Sequence, residues 1–290
     1  METIKLKAMA KINLGLDVTR RRPDGYHEVR MVMQMVGIYD RITITRIPED
    51  EIRLTTNLSF LPVDEHNIAW KAARLMRETY GITEGVAIDI DKHIPVAAGM
   101  AGGSTDCGAV IYGMNRLFDL RQSRETLMQL GTRLGADVPF CILRQTALSE
   151  GIGEILTGIS PMPDCKILVA KPGLSVSTKY VYEHLRLDEQ IVHPDIDGIV
   201  RALEQQDLKG ITDRLGNVLE TVTEREHPVI SEIKALMLQC GAMGALMSGS
   251  GPTVFGIFDD ETKAEQAFQT MKASRLARQI YLTGPYNHLK

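Results

Sequence analysis

A run of small residues at positions 95–105 separates a strand-like segment from a helix-like segment in the first half of the chain. Val86, Ile88 and Ile90 alternate with their neighbours, which predicts a strand, and residues 104–118 are predicted to form a helix. Small side chains let backbone N–H groups approach an anion, and the following helix would offer its positive end. The alternative is a tight strand-to-helix turn that only permits close packing. The run consists of Pro95, Val96, Ala97, Ala98, Gly99, Met100, Ala101, Gly102, Gly103, Ser104 and Thr105.

A second small-residue turn lies at positions 248–253, between two apolar segments that are predicted to be strands. Alone, a turn through Gly249 and Ser250 indicates no more than a hairpin, but two such loops in one chain favour a shared ligand. The first loop has neither the Walker A nor the Rossmann pattern, and the protein-kinase motifs are missing. Ser104 or Thr105 is expected to cap the helix after the first loop or to donate to a phosphate.

Strand and helix signals are mixed along the chain rather than strictly alternating, so the sequence predicts an α+β fold. Its 290 residues are enough for about two domains, and the predicted boundary near residue 158 gives domains 1–158 and 159–290. Asn67 and Gly81 are expected to cap and end one helix, and a helix at 196–219 is expected to break near Lys209 and Gly210. Further strands are predicted at 3–7, 12–18, 41–46, 52–55, 166–170 and 279–282, and further helices at 123–135, 177–185, 228–239 and 264–273.

Two ionisable residues are candidates for catalysis. The alternation at 12–18 predicts a half-buried strand, which places Lys11 and Asn13 on the same face. Asp137 lies among small and apolar residues, where it could accept a proton from a substrate hydroxyl. A lysine beside it would hold it ionised at neutral pH. The structural alternatives are a solvated strand lysine and an Asx turn before Pro139.

Composition argues against several classes of partner. The 33 basic and 37 acidic residues give a net charge of −4, so no basic surplus is present to bind a nucleic-acid backbone. No segment approaches the ~18 apolar residues of a membrane-spanning helix, and we expect neither a secretory signal nor a membrane partner. The four cysteines lie far apart and the seven histidines form no metal motif. We therefore expect a cytoplasmic protein without a dedicated metal site.

Three segments together resemble the GHMP kinase superfamily. They are residues 10–14 with their continuation at 22–28, the run 95–105, and the turn 248–253; residues 135–140 also fit. The resemblance implies an N-terminal ATP-binding domain like domain 2 of ribosomal protein S5 and a C-terminal substrate-binding domain that is a ferredoxin-like α/β sandwich. Ala97 and Ala101 stand where many members carry glycine, so their backbone is expected to be less free to adopt unusual angles.

The resemblance also implies an activity. The superfamily members that these segments resemble use ATP, with Mg²⁺ carried by ATP. They phosphorylate the 2-hydroxyl of a cytidine diphosphate methylerythritol in the non-mevalonate route to isoprenoid precursors. By the same resemblance, Asp137 would be the general base, and Lys11 would orient the hydroxyl and keep Asp137 charged. The implied substrate-binding residues are Asn13, Tyr26, His27, Thr178 and Tyr182, and the implied ATP-binding residues are Asn67, residues 95–105, Gly249 and Ser250.

Each aromatic residue of this set has a structural alternative: Tyr26 as a core tyrosine, His27 as a surface histidine, and Tyr182 as a residue that packs its own helix. Three other functions stay open as well. They are a GHMP kinase for another small alcohol such as homoserine or a sugar, a decarboxylase that phosphorylates transiently, and a nucleotide-binding regulator without turnover. We expect a monomer or a weak homodimer.

Overall fold

The structure, a computed structural model, describes residues 2–188 and 191–287. Strands and helices are numbered in chain order. The strands are β1 (Thr3–Arg21), β2 (His27–Ile47), β3 (Ile52–Thr56), β4 (Gly85–Asp91), β5 (Ala147–Glu150), β6 (Ile155–Gly158), β7 (Lys166–Lys171), β8 (Gly216–Asn217), β9 (Gly244–Met247), β10 (Val254–Phe258) and β11 (Gln279–Thr283). The helices are α1 (Ile68–Tyr80), α2 (Gly102–Leu117), α3 (Arg124–Thr132), α4 (Val138–Leu143), α5 (Thr178–His184), α6 (Ile196–Glu204), α7 (Leu208–Thr212), α8 (Glu220–Glu226), α9 (Val229–Gln239) and α10 (Glu261–Ser274).

Packing divides the chain into two compact units. The first unit comprises the described residues up to Ala10, Ile38–Val96 and Ala101–Arg144. The second unit comprises Lys11–Gly37, Ala97–Met100 and the described residues from Gln145 onward. The units are interleaved along the chain and are defined by packing. The family-domain boundary predicted at residue 158 therefore stays a prediction.

The core of the first unit is built from strands β2, β3 and β4 and helices α1 and α2. β4 pairs antiparallel with residues 41–47 of β2 and parallel with β3. The buried residues of α1 recur at helical spacing, and the core also takes side chains from α2. Complete burial of a side chain such as that of Ile44 contributes about 2 kcal/mol. The core residues include Ile42, Ile44, Ile88, Ile90, Ala69, Ala72, Ala73, Met76, Val110, Ile111 and Met114.

The second unit contains an antiparallel sheet whose strands lie in the order β11-β7-β10-β9. Numbered along the chain, this is the order 4-1-3-2, with helices between the first and second strands and between the third and fourth. That pattern is the split βαβ arrangement of ferredoxin-like domains. α9 lies against β9 and β10, and α10 lies against β7 and β11. The predicted α+β class and the ferredoxin-like part are confirmed.

Strand β1 is longer and more buried than predicted. It runs without a break through both segments that were expected to be separate strands. Residues 8–18 are buried on both faces, so the prediction of a half-buried strand is wrong. Within the second unit, α6 covers the face that carries Gly15, since a Cβ there would lie 2.7 Å from both Ile196 Cδ1 and Ile199 Cδ1. Lys11 and Asn13, on that same face, are buried as well.

Local capping signals placed several helices correctly. Asn67 Oδ1 accepts from the N–H of Ala69, and Gly81 ends α1 with a φ of 64°. Ser123 caps α3 and Ser177 caps α5, each by accepting a backbone N–H three residues on. The predictions of these helix starts are confirmed.

The predicted helix at 196–219 is wrong in part. α6 ends at Glu204, and α7 begins after Asp207, whose side chain accepts from the N–H of Gly210. The break at residues 205–207 therefore lies near Lys209, as predicted. β8 and α8 then follow, and α4 was not predicted either. Within residues 2–188 and 191–287, no helix has both the length and the apolar character needed to cross a membrane.

Candidate active site

The first small-residue loop has a left-handed backbone at three alternate positions. The φ angles are 50° at Ala97, 69° at Gly99 and 58° at Ala101. The expectation that the two alanines would avoid such angles is wrong, although a Cβ in this region costs about 1–2 kcal/mol. Left-handed residues at alternate positions are a feature of backbone nests, whose N–H groups bind anions.

Helix α2 begins at Gly102, two residues earlier than predicted. Its N-cap is Ala101, which has no side chain that could cap the helix, so the expectation that Ser104 or Thr105 caps it is wrong. The N–H of Thr105 donates to Ala101 O at 2.9 Å. The preceding N–H groups of the turn have no acceptor one turn earlier in the helix, which is the arrangement that anion-binding helix N-termini use.

The second loop, residues 248–253, packs its backbone against Gly99 within the second unit. A Cβ on Gly99 would lie 2.1 Å from Ser248 O, so only glycine fits. Ser248 Oγ also donates to Gly99 O at 2.9 Å. The structure therefore brings the two loops together, as the sequence predicted.

Two buried side chains that the sequence analysis missed hold this second loop. Asn217 Nδ2 donates to Met247 O and to Gly249 O, both at 2.8 Å. Thr223 Oγ1 donates to Ser250 O at 3.3 Å. The available signal was a polar residue, Asn217, within an apolar segment. The helix that the sequence predicts over residues 196–219 hides this signal.

Lys11 and Asn13 share one face of β1, as predicted, and contact each other. Lys11 Nζ donates to Asn13 Oδ1 at 2.6 Å, and Asn13 Nδ2 lies 3.5 Å from Met31 Sδ. Lys11 is only 4% exposed. Among the described residues of the second unit, no carboxylate lies within 4.0 Å of its ammonium group. A buried cation beside a neutral amide favours an anionic neighbour, which a ligand would supply.

Asp137 precedes α4 and is half-buried, but its carboxylate caps nothing. The predicted structural alternative, an Asx turn before Pro139, needs an N–H two residues on, and proline has none. In the described part of the first unit, no hydrogen bond or ion pair engages this carboxylate. It is therefore free to accept a hydrogen bond from a ligand.

The aromatic cluster at the turn between β1 and β2 consists of the consecutive residues Tyr26 and His27, with Tyr182 against His27. Asp24 Oδ1 accepts from the N–H of Tyr26 at 3.1 Å, and the tyrosine side chain is 61% exposed, so the alternative of a core tyrosine is wrong. The rings of His27 and Tyr182 lie 5.1 Å apart at 39°. Burial, together with the charge of Arg21, lowers the pKa of His27. The imidazole is therefore neutral at pH 7, with one donor and one acceptor nitrogen.

Thr178 and Asn67 are both engaged in protein contacts. Thr178 is the first residue of α5, and its Oγ1 lies 2.8 Å from Ser250 Oγ. Asn67 caps α1 and donates from Nδ2 to Pro62 O at 2.8 Å. Both functional atoms of Asn67 are thus used by the fold, and its contact with ATP stays a prediction.

Comparison with known proteins shows the family. Residues 67–145 match the GHMP kinases N terminal domain, and residues 192–276 match the GHMP kinases C terminal region. The chain belongs to the GHMP kinase family. The predicted two-domain GHMP kinase fold, with its domain like domain 2 of ribosomal protein S5, is confirmed.

Relatives of this GHMP kinase share one name. A protein of Lachnospira eligens named 4-diphosphocytidyl-2-C-methyl-D-erythritol kinase is 56% identical over 283 residues, which is 98% of each chain. A Bacillus subtilis protein of the same name is 48% identical over 92% of each chain. The crystal structure of a 4-(cytidine 5'-diphospho)-2C-methyl-D-erythritol kinase has a TM-score of 0.83 and 31% identity over 98% of this chain and 100% of its own. Homoserine kinase from Cytophaga hutchinsonii, at 21% identity over 98% and 94% with a TM-score of 0.78, shares the fold.

This GHMP kinase also has a buried charged triad in its first unit, which the sequence analysis missed. Lys92 Nζ donates to Asp40 Oδ2 at 2.5 Å and to Asp106 Oδ2 at 2.7 Å. A Cβ on Gly102 would lie 3.4 Å from Lys92 Nζ, so the triad is next to the first turn of α2. Asp106 Oδ1 is buried without a hydrogen-bond partner in the described chain. Burial raises the pKa of Asp106 well above its usual range, and Lys92 only partly offsets this.

Proposed function

We propose that this GHMP kinase transfers the γ-phosphate of ATP to the 2-hydroxyl of 4-diphosphocytidyl-2-C-methyl-D-erythritol. The products are the 2-phosphate and ADP, in the non-mevalonate route to isoprenoid precursors. The names of the full-length relatives support this substrate. The observation that carries it to this chain is the exposed Tyr26, which directly precedes His27 in the chain, together with the contact between the rings of His27 and Tyr182. A nucleobase needs an aromatic platform of this kind, and a simple alcohol does not.

On the nucleotide side, the backbone of residues 97–105 is proposed to hold the phosphates of ATP. The left-handed positions at 97, 99 and 101 and the first turn of α2 without a side-chain cap fit a polyanion. Pro95, Val96, Gly249, Ser250 and Asn67 complete the proposed ATP-binding set. Mg²⁺ is proposed to arrive with ATP and to neutralise phosphate charge, and no protein ligand is assigned to it.

Asp137 is proposed to accept the proton of the 2-hydroxyl. The substrate oxygen forms a bond to the γ-phosphorus while the bond from that phosphorus to the β–γ bridging oxygen breaks, and ADP leaves with its electron pair. Lys11 is proposed to orient the hydroxyl, since its buried ammonium group has only the amide oxygen of Asn13 as a hydrogen-bond partner among the described residues of its own unit. Most of the rate enhancement then comes from positioning and charge stabilisation.

On the substrate side, Tyr26 and Tyr182 are proposed to stack on cytosine, and the neutral imidazole of His27 to hydrogen-bond its edge. Each stacked base contributes about 1–3 kcal/mol. Asn13 and Thr178 are proposed to bind the polar part of the substrate. A GHMP kinase for homoserine or a sugar has no need of this cluster. A decarboxylase would release carbon dioxide, and a regulator would not consume ATP.

The test is ADP release from Mg-ATP with 4-diphosphocytidyl-2-C-methyl-D-erythritol, with phosphorus NMR of the product. We expect a new phosphomonoester at the 2-position and no turnover of homoserine. Asp137→Asn should lower kcat by about 10²–10⁴-fold, the usual value of general base catalysis, and leave ATP binding nearly intact. Asp119→Asn is the matched control, because that carboxylate is exposed in the same unit and pairs with Arg121. Equal loss of turnover and of ATP binding in Asp137→Asn would show a structural role instead.

Three further properties are proposed on indirect grounds. We propose that the enzyme is cytoplasmic, because its cysteines form no disulfide in the described chain. We propose a monomer or a weak homodimer, which light scattering over a range of concentrations would test. We also propose that the ATP-binding family domain is 1–158 and the substrate-binding domain 159–290, which fits the family matches at 67–145 and 192–276.

A further inference from the structure

One hydrogen bond in the second unit joins a residue of the proposed substrate site to a residue of the proposed ATP site. Thr178 Oγ1 and Ser250 Oγ lie 2.8 Å apart. Thr178 begins α5, and Ser250 lies in the loop 248–253, where it is 6% exposed. Each hydroxyl can donate and accept, so this bond leaves each with capacity for a ligand.

The loop side of this bond is firmly held. Thr223 fixes the carbonyl of Ser250, and Asn217 fixes the carbonyl of Gly249. Ser248 Oγ donates to Gly99 O, and the backbones of the two loops are in contact at that point. A displacement of Ser250 would therefore move Gly249 and Ser248, and through Ser248 also Gly99 in the first loop.

The helix side of the bond is weakly held. α5 has seven residues, of which only Val181 is fully buried. Helices this short are marginal without tertiary contacts, so few interactions fix the position of α5. Tyr182 lies one turn after Thr178 on the same side of the helix, and its ring contacts His27. A base that stacks on Tyr182 would thus order the same turn that presents the Thr178 hydroxyl to Ser250.

We propose that the Thr178–Ser250 hydrogen bond couples the binding of the cytidine diphosphate alcohol to the binding of ATP. This inference rests on the proposed function, because it takes the ligands from there. The first ligand to bind fixes the weakly held α5 against the loop, and the second ligand meets a site that is already ordered. Coupling between two ligands is reciprocal, so each strengthens the binding of the other by the same factor.

A single hydrogen bond sets the size of the effect. Its net contribution is about 1 kcal/mol, which corresponds to about a fivefold change in affinity. We therefore expect the Kd of a non-hydrolysable ATP analogue with Mg²⁺ to fall about fivefold when 4-diphosphocytidyl-2-C-methyl-D-erythritol is saturating. Calorimetric titration of the full chain, with and without that substrate, measures this ratio.

Variants separate coupling from a merely structural role. Ser250→Ala and Thr178→Val should each bring the ratio of the two Kd values to about one, and the double variant should do no more. Thr178→Ser keeps the hydroxyl and should keep the fivefold ratio. Ser175→Ala is the matched control, because Ser175 is exposed in the segment before α5, and its ratio should equal that of the wild type. Thermal unfolding of each variant checks that it is folded.

Two results would overturn the inference. One is a ratio near one in the wild-type enzyme, and the other is a fivefold ratio that persists in both folded variants, Ser250→Ala and Thr178→Val. The proposed function is judged separately by turnover of the same preparation. Turnover of the substrate without coupling rejects only this inference, whereas no turnover of the substrate rejects the proposed function first.

Discussion

Gly99 and Gly103 lie four residues apart in the first loop and the start of α2, and the same substitution should have opposite effects at the two positions. Gly99 has a φ of 69°, and a Cβ there would lie 2.1 Å from Ser248 O. Real Cβ contacts essentially never fall below 3.0 Å, so the two backbones would have to separate by about 0.9 Å. At Gly103 the nearest atom to a Cβ is Ile68 Cγ2 at 3.6 Å, which is an ordinary contact.

The free energies follow from these geometries. An alanine in the left-handed region costs about 1–2 kcal/mol, and overpacking of this kind adds about 1–3 kcal/mol. Gly99→Ala should therefore destabilise the fold by about 3 kcal/mol. Gly103→Ala replaces a helical glycine without a clash and should stabilise it by about 0.5–1 kcal/mol.

Thermal unfolding without nucleotide, followed by circular dichroism, measures both effects. At about 2 °C per kcal/mol for a chain of this size, Gly99→Ala should lower the Tm by about 6 °C, and Gly103→Ala should raise it slightly. Gly99→Ala should also raise the KM for ATP, because the two loops are pushed apart. If Gly99→Ala melts at the same temperature as Gly103→Ala, the contact between the loops is not as described.

Substitutions at three further positions test other features of the structure. Ala101→Gly should raise stability by about 0.5–1 kcal/mol in a urea titration, because it removes a Cβ from a φ of 58°; a loss of stability would contradict this. Tyr182→Ala should raise the KM for the cytidine substrate about tenfold, and Tyr182→Phe should not, as steady-state kinetics would show. The raised pKa of Asp106 means that its neutral form stabilises the fold below the unfolded pKa of about 3.9, and that this contribution is lost as the pH rises through the folded pKa. The free energy of unfolding of Asp106→Asn should therefore increase relative to that of the wild type as the pH rises above about 4. A difference between the two proteins that does not depend on pH would contradict the raised pKa of Asp106.

The parts of the fold that the sequence predicts correctly are those with local signals. Asn67, Ser123 and Ser177 each cap the helix that follows, within three residues of the signal. The face shared by Lys11 and Asn13 is also predicted correctly, because the alternation of side chains along a strand is a local pattern. Both glycine loops were found because small residues in sequence are visible without a structure.

The parts that the sequence does not reveal depend on distant partners. Asn217 acts on backbone atoms thirty residues away, and its neighbours are apolar enough to suggest a helix. The Asp40–Lys92–Asp106 triad joins β2, α2 and the residue that follows β4, and it has no local pattern. The role of Asp137 also depends on tertiary structure, because only the structure shows that its carboxylate does not cap α4.

The left-handed alanines show how this loop differs from one built of glycine. Each of Ala97 and Ala101 holds about 1–2 kcal/mol of backbone strain, which other contacts must offset. Within the second unit, the N–H of Lys11 donates to Met100 O and Ser248 donates to Gly99 O, so the strained segment is fixed from two sides. An alanine also has fewer conformations to lose than a glycine when the loop orders around a ligand. If the loop binds the phosphates of ATP, this strain lowers the stability of the fold but preorganises the loop. Its N–H groups are then already oriented before the nucleotide binds.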